Sequence, residues 1–315
     1  MIVTVTLNAS IDKAYFMKEK VENGTVMRVA ATRNSAGGKG LNVARVAKLC
    51  GETVKATGMV GGFNGAYLEH LLDQDGIDHE FEHVKGETRS CINILDDTYG
   101  STEYLEPGCE ISPEEEQEFL KRFPEIVKDS KVVTISGSVP RGASQDIYSR
   151  MVSMLKEAGK QVILDTSGKL LEDGIRALPT MIKPNKDEIE MLFQTKITSR
   201  EEVIPYAKKL HEQGIPYVVI SLGKDGALLV CDRGVFRGIP PKVEAANTVG
   251  CGDSMVGAFA VALQRNYEPE EALRYAVAVS AANAASPDTG KFDPEVSKKL
   301  LEQVEIICEE KEKEN

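Results

Sequence analysis

The chain has 315 residues, enough for one large domain, or a domain with a modest second lobe, to bury most of its apolar surface without staples. At 42% hydrophobic and 28% charged residues it reads as a soluble globular protein, and no apolar run approaches the ~18 residues that a membrane span needs. A formal net charge of −11 argues against a nucleic-acid partner, so any bound phosphate must be met by local cations, helix N-termini or metal.

In chain order, short apolar β-branched runs predict strands at 3–7, 54–60, 132–136, 162–165, 181–183, 218–221 and 227–231. The first lacks a basic lead and a small-residue cleavage site, so it is expected to be a strand and not a signal peptide. Helical patterns fall at 42–49, 65–75, 113–123, 144–158, 199–213, 251–264, 269–284 and 294–307. This alternation predicts an α/β domain with a mostly parallel sheet covered on both faces. Two stretches, about 11–34 and 89–106, run closer to period two. Ser90-Cys91-Ile92-Asn93-Ile94-Leu95 followed by Asp96-Asp97 and Gly100 predicts a hairpin, so a small β-lobe is expected to project from a single domain spanning 1–315. The charged tail 309–315 is expected to be a solvated, frayed helix end. The six cysteines lie far apart and form no C-x-x-C, which predicts reduced thiols in a cytoplasmic protein. His79 and His83 are expected to be surface side chains.

Two glycine-rich turns carry the candidate chemistry. Thr248-Val249-Gly250-Cys251-Gly252-Asp253-Ser254 opens an apolar helix. Its glycines free backbone N–H groups to turn outward, and the helix dipole adds to them, giving an anion hole for a phosphate. An aspartate in that first turn can accept the proton of an attacking hydroxyl, or can simply complement the dipole. The spacing is not that of a Walker A loop. Ala36-Gly37-Gly38-Lys39-Gly40-Leu41-Asn42 is a second such turn, with a lysine to meet a phosphate and an asparagine to bond sugar hydroxyls.

With these motifs in view, the sequence resembles the ribokinase/PfkB family of carbohydrate kinases, in particular the branch holding 1-phosphofructokinase and tagatose-6-phosphate kinase. The likeness covers Thr6-Leu7-Asn8 with Asp12, the loop 36–42, Gly86-Glu87-Thr88-Arg89 and Ser136-Gly137-Ser138-Val139-Pro140. It continues through Leu164-Asp165-Thr166-Ser167-Gly168, Lys183-Pro184-Asn185 with Glu188, Ser221-Leu222-Gly223 with Gly226, and 248–254. It implies a ribokinase-like three-layer α/β/α domain whose β-lobe is a lid over the sugar. It also implies ATP and Mg²⁺, and a homodimer formed through the lid, for which unpaired strand edges give a separate reason.

By the same resemblance, Asp253 would be the catalytic base and the amides of Gly250, Cys251 and Gly252 the anion hole. The family usually has Ala or Ser at the position of Cys251, which is read either as a thiol with lowered pKa or as a small residue that fits. Asp12, Gly38, Lys39, Asn42 and Ser138 would line the sugar site and Arg89 would clamp its phosphate, with Arg28 a weaker candidate. Lys183, Asn185, Ser221, Gly223, Gly226 and Thr248 would meet the nucleotide, and Asn283 would lie beside adenine or on the helix surface. Glu188 and Asn185 would serve Mg²⁺ through water, or cap a helix. Lys39 and Arg89 favour a phosphorylated sugar. Fructose 1-phosphate, phosphorylated at the 6-hydroxyl, leads over tagatose 6-phosphate and fructose 6-phosphate. The rival from another class is a catalytically inactive regulator that binds sugar phosphate or nucleotide.

Overall fold

The structure, a computed structural model, describes residues 1–96 and 100–311. The chain opens on β1 (Ile2–Thr6), a strand buried at every position. β2 (Ser10–Phe16) and β3 (Ala31–Gly37) then leave the main body. α1 (Lys39–Leu49) begins directly after the positive-φ Gly38, and β4 (Val54–Val60), α2 (Gly62–Gln74) and β5 (Asp78–His83) follow. β6 (Arg89–Asp96) and β7 (Gly100–Leu105) rejoin β2 and β3. From α3 (Pro113–Val127) helices and strands alternate as β8 (Val132–Ser136), α4 (Ile147–Glu157), β9 (Gln161–Asp165), α5 (Gly168–Ile175), β10 (Met181–Ile182), α6 (Lys186–Phe193) and α7 (Ile204–Glu212). β11 (Tyr217–Ser221), β12 (Ala227–Cys231) and β13 (Gly234–Ile239) precede α8 (Cys251–Arg265), α9 (Pro269–Ala284), α10 (Pro294–Leu301) and β14 (Glu305–Lys311).

The large sheet runs β14-β13-β12-β11-β10-β9-β8-β1-β4-β5. It is parallel from β5 to β11 and antiparallel from β11 to β14. Alternation along the strands divides the core. Ile2 and Val132 face α1, α8 and α9, whereas Val3, Val5, Val133 and Ile135 face α3, α4, α5 and α7. Helices on both faces make this a three-layer α/β/α arrangement.

The smaller sheet, β3-β2-β6-β7, occupies the two stretches of period two. β6 and β7 pair antiparallel as the expected hairpin, and residues 97–99, between them in sequence, lie outside the described residues.

The C-terminus departs from expectation. The helix expected over 294–307 stops at Leu301. Residues 305–311 form an edge strand on β13, and they are not a frayed helix end; 312–315 lie outside the described residues. The physical reason is pairing. Ile306 and Ile307 alternate into the ladder, while Glu309 and Glu310 are held by Arg237 and Lys208. The helix at 199–213 likewise begins only at Ile204, with Pro205 in its first turn.

Candidate active site

The two glycine turns, 212 residues apart at Gly38 and Gly250, meet at the C-terminal ends of the central strands. Gly250 sits at φ 79, where a Cβ would stand 2.6 Å from the Thr289 methyl, so glycine is required. α8 starts at the next residue, leaving the first N–H groups of Cys251, Gly252 and Asp253 without intrahelical partners. The Cys251 amide turns back to the Thr248 carbonyl at a long 3.4 Å. Lys183, only 5% exposed, brings its ammonium against Gly252, to 3.4 Å from where a Cβ would be. A buried cation therefore stands beneath the amides, which together suit an anion.

Asp253 is 7% exposed at the mouth of this turn. Burial first, then the neighbouring Asp165, pushes its carboxyl up to about 6. The Asn42 hydrogen bond and the ammoniums of Lys39 and Lys183 pull the other way. A base poised near neutrality is what proton abstraction from a hydroxyl calls for.

Asn42 donates from Nδ2 to Asp253 Oδ2 at 2.8 Å, and its Oδ1 accepts from Arg45 Nη1 at 3.1 Å. Arg45 also donates to the Ala36 carbonyl and to Asp75. Asn42 thus orients Asp253, and its amide is not pointed freely at a sugar. Since its bond favours the ionised form, Asn42→Ala moves the acidic limb of kcat to higher pH. A pH–kcat profile checks this; an unmoved limb contradicts it.

Asp165, 2% exposed, lies between two cations: Lys183 Nζ at 3.3 Å and Lys39 Nζ at 3.6 Å. Lys39 is raised, chiefly by Asp165.

On the sugar side, Asp12 packs so closely on Gly37 that a Cβ there would fall 2.0 Å from its carboxyl. Burial raises Asp12, against a hydrogen bond from Ser10 Oγ at 2.7 Å. Gly38, at φ 107, lies on the Thr6 methyl. Arg89 spends three of its five donors on carbonyls: Nε and Nη2 on Asn8 O at 3.2 and 3.0 Å, Nη1 on Glu106 O at 2.9 Å. It lines a cavity of ≈ 320 Å³ with Asn64, Thr88 and Ser90. Asn8 Nδ2 donates to Ser138 Oγ and to the Pro107 carbonyl, so one residue ties Arg89, Ser138 and the small sheet together. Arg28 is exposed.

On the nucleotide side, Asn185 and Glu188 form a reciprocal helix cap: Glu188 Oε2 accepts from Asn185 N, and Asn185 Oδ1 from Glu188 N. No group of three metal-binding side chains occurs among the described residues. A Mg²⁺ that keeps most of its water and rests on phosphates fits this donor set, with the second Glu188 oxygen outside the cap. Thr248, Gly223 and Lys224 are exposed, and Ser221 is half-buried beside the Asn185 bridge.

Three further residues are packed into the fold. Gly226 is buried at φ 88 with the Gly238 carbonyl 2.0 Å from a would-be Cβ, so no side chain fits there against β13. Asn283 is neither on a surface nor open to an adenine. It is 0% exposed and bonds the Val249 carbonyl, Cys251 Sγ and the Gly290 amide, bracketing the α8 turn. Burial raises the Cys251 thiol, against the lowered pKa of an activated thiol and in keeping with a small residue that fits. Asn8, Arg45 and Asp165 were not singled out as site residues. Asn8 and Asp165 stood inside recognisable motifs, whereas Arg45 offered only its place one turn beyond Asn42.

The model of the pfkB family carbohydrate kinases matches residues 5–296. The chain belongs to that family. Among curated relatives it is similar to a tagatose-6-phosphate kinase of Staphylococcus epidermidis, 37% identical over 310 residues (98% of this chain, 99% of the relative). It is also similar to a 1-phosphofructokinase of Bacillus subtilis, 36% identical over 306 residues (97% and 99%). Among solved structures, phosphofructokinase-2 of Escherichia coli in complex with potassium superposes with a TM-score of 0.91 at 29% identity, covering 96% of this chain and 98% of that one. The fold of this pfkB-family chain is ribokinase-like. No helix among the described residues is long and apolar enough to cross a membrane.

Proposed function

We propose that this chain is an ATP-dependent hexose-phosphate kinase that transfers the γ-phosphoryl group to the 6-hydroxyl of fructose 1-phosphate, giving fructose 1,6-bisphosphate. One observation carries the reading: a buried, raised Asp253 sits in the first turn of α8, beside amides and the Lys183 ammonium. The hydroxyl proton passes to the Asp253 carboxylate as the sugar oxygen bonds phosphorus. The bond from phosphorus to the bridging oxygen breaks, and ADP leaves. The α8 amides and Lys183 stabilise the charge on the phosphoryl oxygens. Lys39, paired with Asp165, would meet a substrate phosphate. Arg89, braced on Asn8 and Glu106 with two N–H groups remaining, would clamp the sugar phosphate. Ser221, Gly223 and Thr248 flank the triphosphate. Glu188, with Asn185, would hold Mg²⁺ through water, and the ion would neutralise triphosphate charge.

In this reading the whole chain is one cytoplasmic kinase domain with the small sheet as its lid. Closure excludes water from the transfer. The lid leaves β7 exposed along its length and bares Val26, Tyr104 and Leu105, which suits pairing with a second copy into a homodimer.

A panel decides the sugar: fructose 1-phosphate, fructose 6-phosphate and tagatose 6-phosphate, each with Mg-ATP and coupled ADP release. The highest kcat/KM is expected with fructose 1-phosphate. A clear preference for tagatose 6-phosphate reassigns the substrate, and no turnover with any of the three supports the binding regulator.

A further inference from the structure

Arg45 lies one turn beyond Asn42 on α1 and is only 4% exposed. A buried guanidinium is costly unless its donors are met, and this one turns its three nitrogens to three separate partners. Nη1 donates to Asn42 Oδ1 at 3.1 Å, Nη2 to the Ala36 carbonyl at 2.7 Å, and Nε to Asp75 Oδ2 at 3.1 Å. Asp75, at the end of α2, takes Lys291 on its other oxygen at 3.3 Å. Gly290, at φ 65, closes over the pair: a Cβ there would stand 3.3 Å from Asn42 Cβ and 3.5 Å from Arg45 Nη1.

The bond to Asn42 fixes a direction. A side-chain amide is nearly symmetric in shape and can turn either its oxygen or its NH₂ group to a neighbour. An ionised Asp253 only accepts, so Asn42 must give it the nitrogen. Arginine only donates, so it holds the Asn42 oxygen. The turned-over amide would set oxygen against carboxylate and NH₂ against guanidinium, and Arg45 forbids it. The bond to Ala36 reaches the sugar side. Ala36 pairs with Ile11 between β2 and β3, and Gly37 beside it packs on Asp12. Burial raises Asp12, and the Ser10 hydrogen bond, then the Arg45 charge, draw it back.

We propose that Arg45 is a positioning residue of the reaction. Through Asn42 it holds Asp253 in the orientation that receives the hydroxyl proton. Through Ala36 it holds the turn beneath Asp12, so one guanidinium spaces the base from the carboxylate on the sugar side. The inference rests on Asp253 being the base of the proposed kinase reaction.

A double-mutant cycle tests it, assayed with whichever hexose phosphate turns over best. Arg45→Met keeps the stem and removes the fork, and Asp75 keeps Lys291. In this variant kcat is expected to fall by ~10–10²-fold, with the KM for ATP within ~3-fold of wild type. In an Asn42→Ala background the same change should cost kcat less than ~3-fold, because the link to Asp253 is already cut. The KM for the sugar phosphate, which reports the Ala36 arm, should rise in both backgrounds, and an unchanged value overturns that arm. Effects on kcat that multiply overturn the link through Asn42. So does an Arg45→Met protein with lower Tm but wild-type kcat per folded molecule, the mark of a purely structural arginine. Arg45→Lys keeps the charge but gathers its donors on one nitrogen, and it is expected to lose kcat as Arg45→Met does. Wild-type kcat in Arg45→Lys shows that charge alone suffices and overturns the fork; this variant also carries the cycle if Arg45→Met does not fold. Asp253→Asn is assayed beside them. If it is inactive and the Arg45 effects multiply, this inference alone fails; if it is active, the base assignment fails and takes this inference with it.

Discussion

Asp253→Asn is expected to lower kcat by ~10²–10⁴ while leaving the KM for ATP near wild type. The amide keeps the shape and can still bond Asn42, but it cannot take a proton. Near-wild-type turnover would remove Asp253 from the base role. The same substitution carries a second, opposite signature. The folded pKa of Asp253, about 6, is raised above the ordinary aspartate value of 3.8. A raised carboxyl contributes stability that is fully present below the unfolded value and lost as pH rises through the folded one. Above pH 6 the native state therefore bears the cost of a buried charge, up to roughly 3 kcal/mol. Asp253→Asn should raise Tm at pH 8 by several degrees, with the gain shrinking toward pH 4. An inactive variant that is also less stable at pH 8 would point to damage to the fold.

Arg89→Ala is the second large effect. Loss of a charged fork on a phosphate is expected to raise the KM for the sugar phosphate by ~10²-fold and the KM for ATP by less than ~3-fold. Steady-state kinetics with each substrate varied in turn reads the split. Equal rises in the two constants would count against the clamp. The bracing on Asn8 and Glu106 means that alanine also strips two carbonyls of donors, so a small fall in Tm accompanies the kinetic change. Arg89→Lys, which keeps the charge and loses the fork, should fall between.

The sequence spoke clearly where local chemistry decides the structure. The buried run Val162-Ile163-Leu164 is apolar throughout, and the period-two stretches did form a separate sheet. It was silent where a partner far along the chain decides. β5 (Asp78–His83) buries only Phe81 and looks like a polar turn until Val54–Val60 pairs with it. The acidic end of the chain looks solvated until β13 supplies a ladder.

The site divides in the same way. Both glycine turns and Asp253 were readable because a tight turn into a helix has a local signature. That Asn42 spends its amide on Asp253, 211 positions away, could not be read from either segment. Asn283 misled for a related reason: a helix position gives its face only once α8 is packed against it. The lysines at 39 and 183 were each legible as cations, but the buried carboxylate that spaces them was not.

The account stands or falls on the ionisation of Asp253 within the working enzyme. The measurement is kcat, at saturating hexose phosphate and Mg-ATP, across pH 5 to 8 for the wild type and for the residual activity of Asp253→Asn. The wild type should lose activity as pH falls through about 6, with one proton taken up, and the variant should lack that limb. The same acidic limb in both proteins would contradict Asp253 as the base.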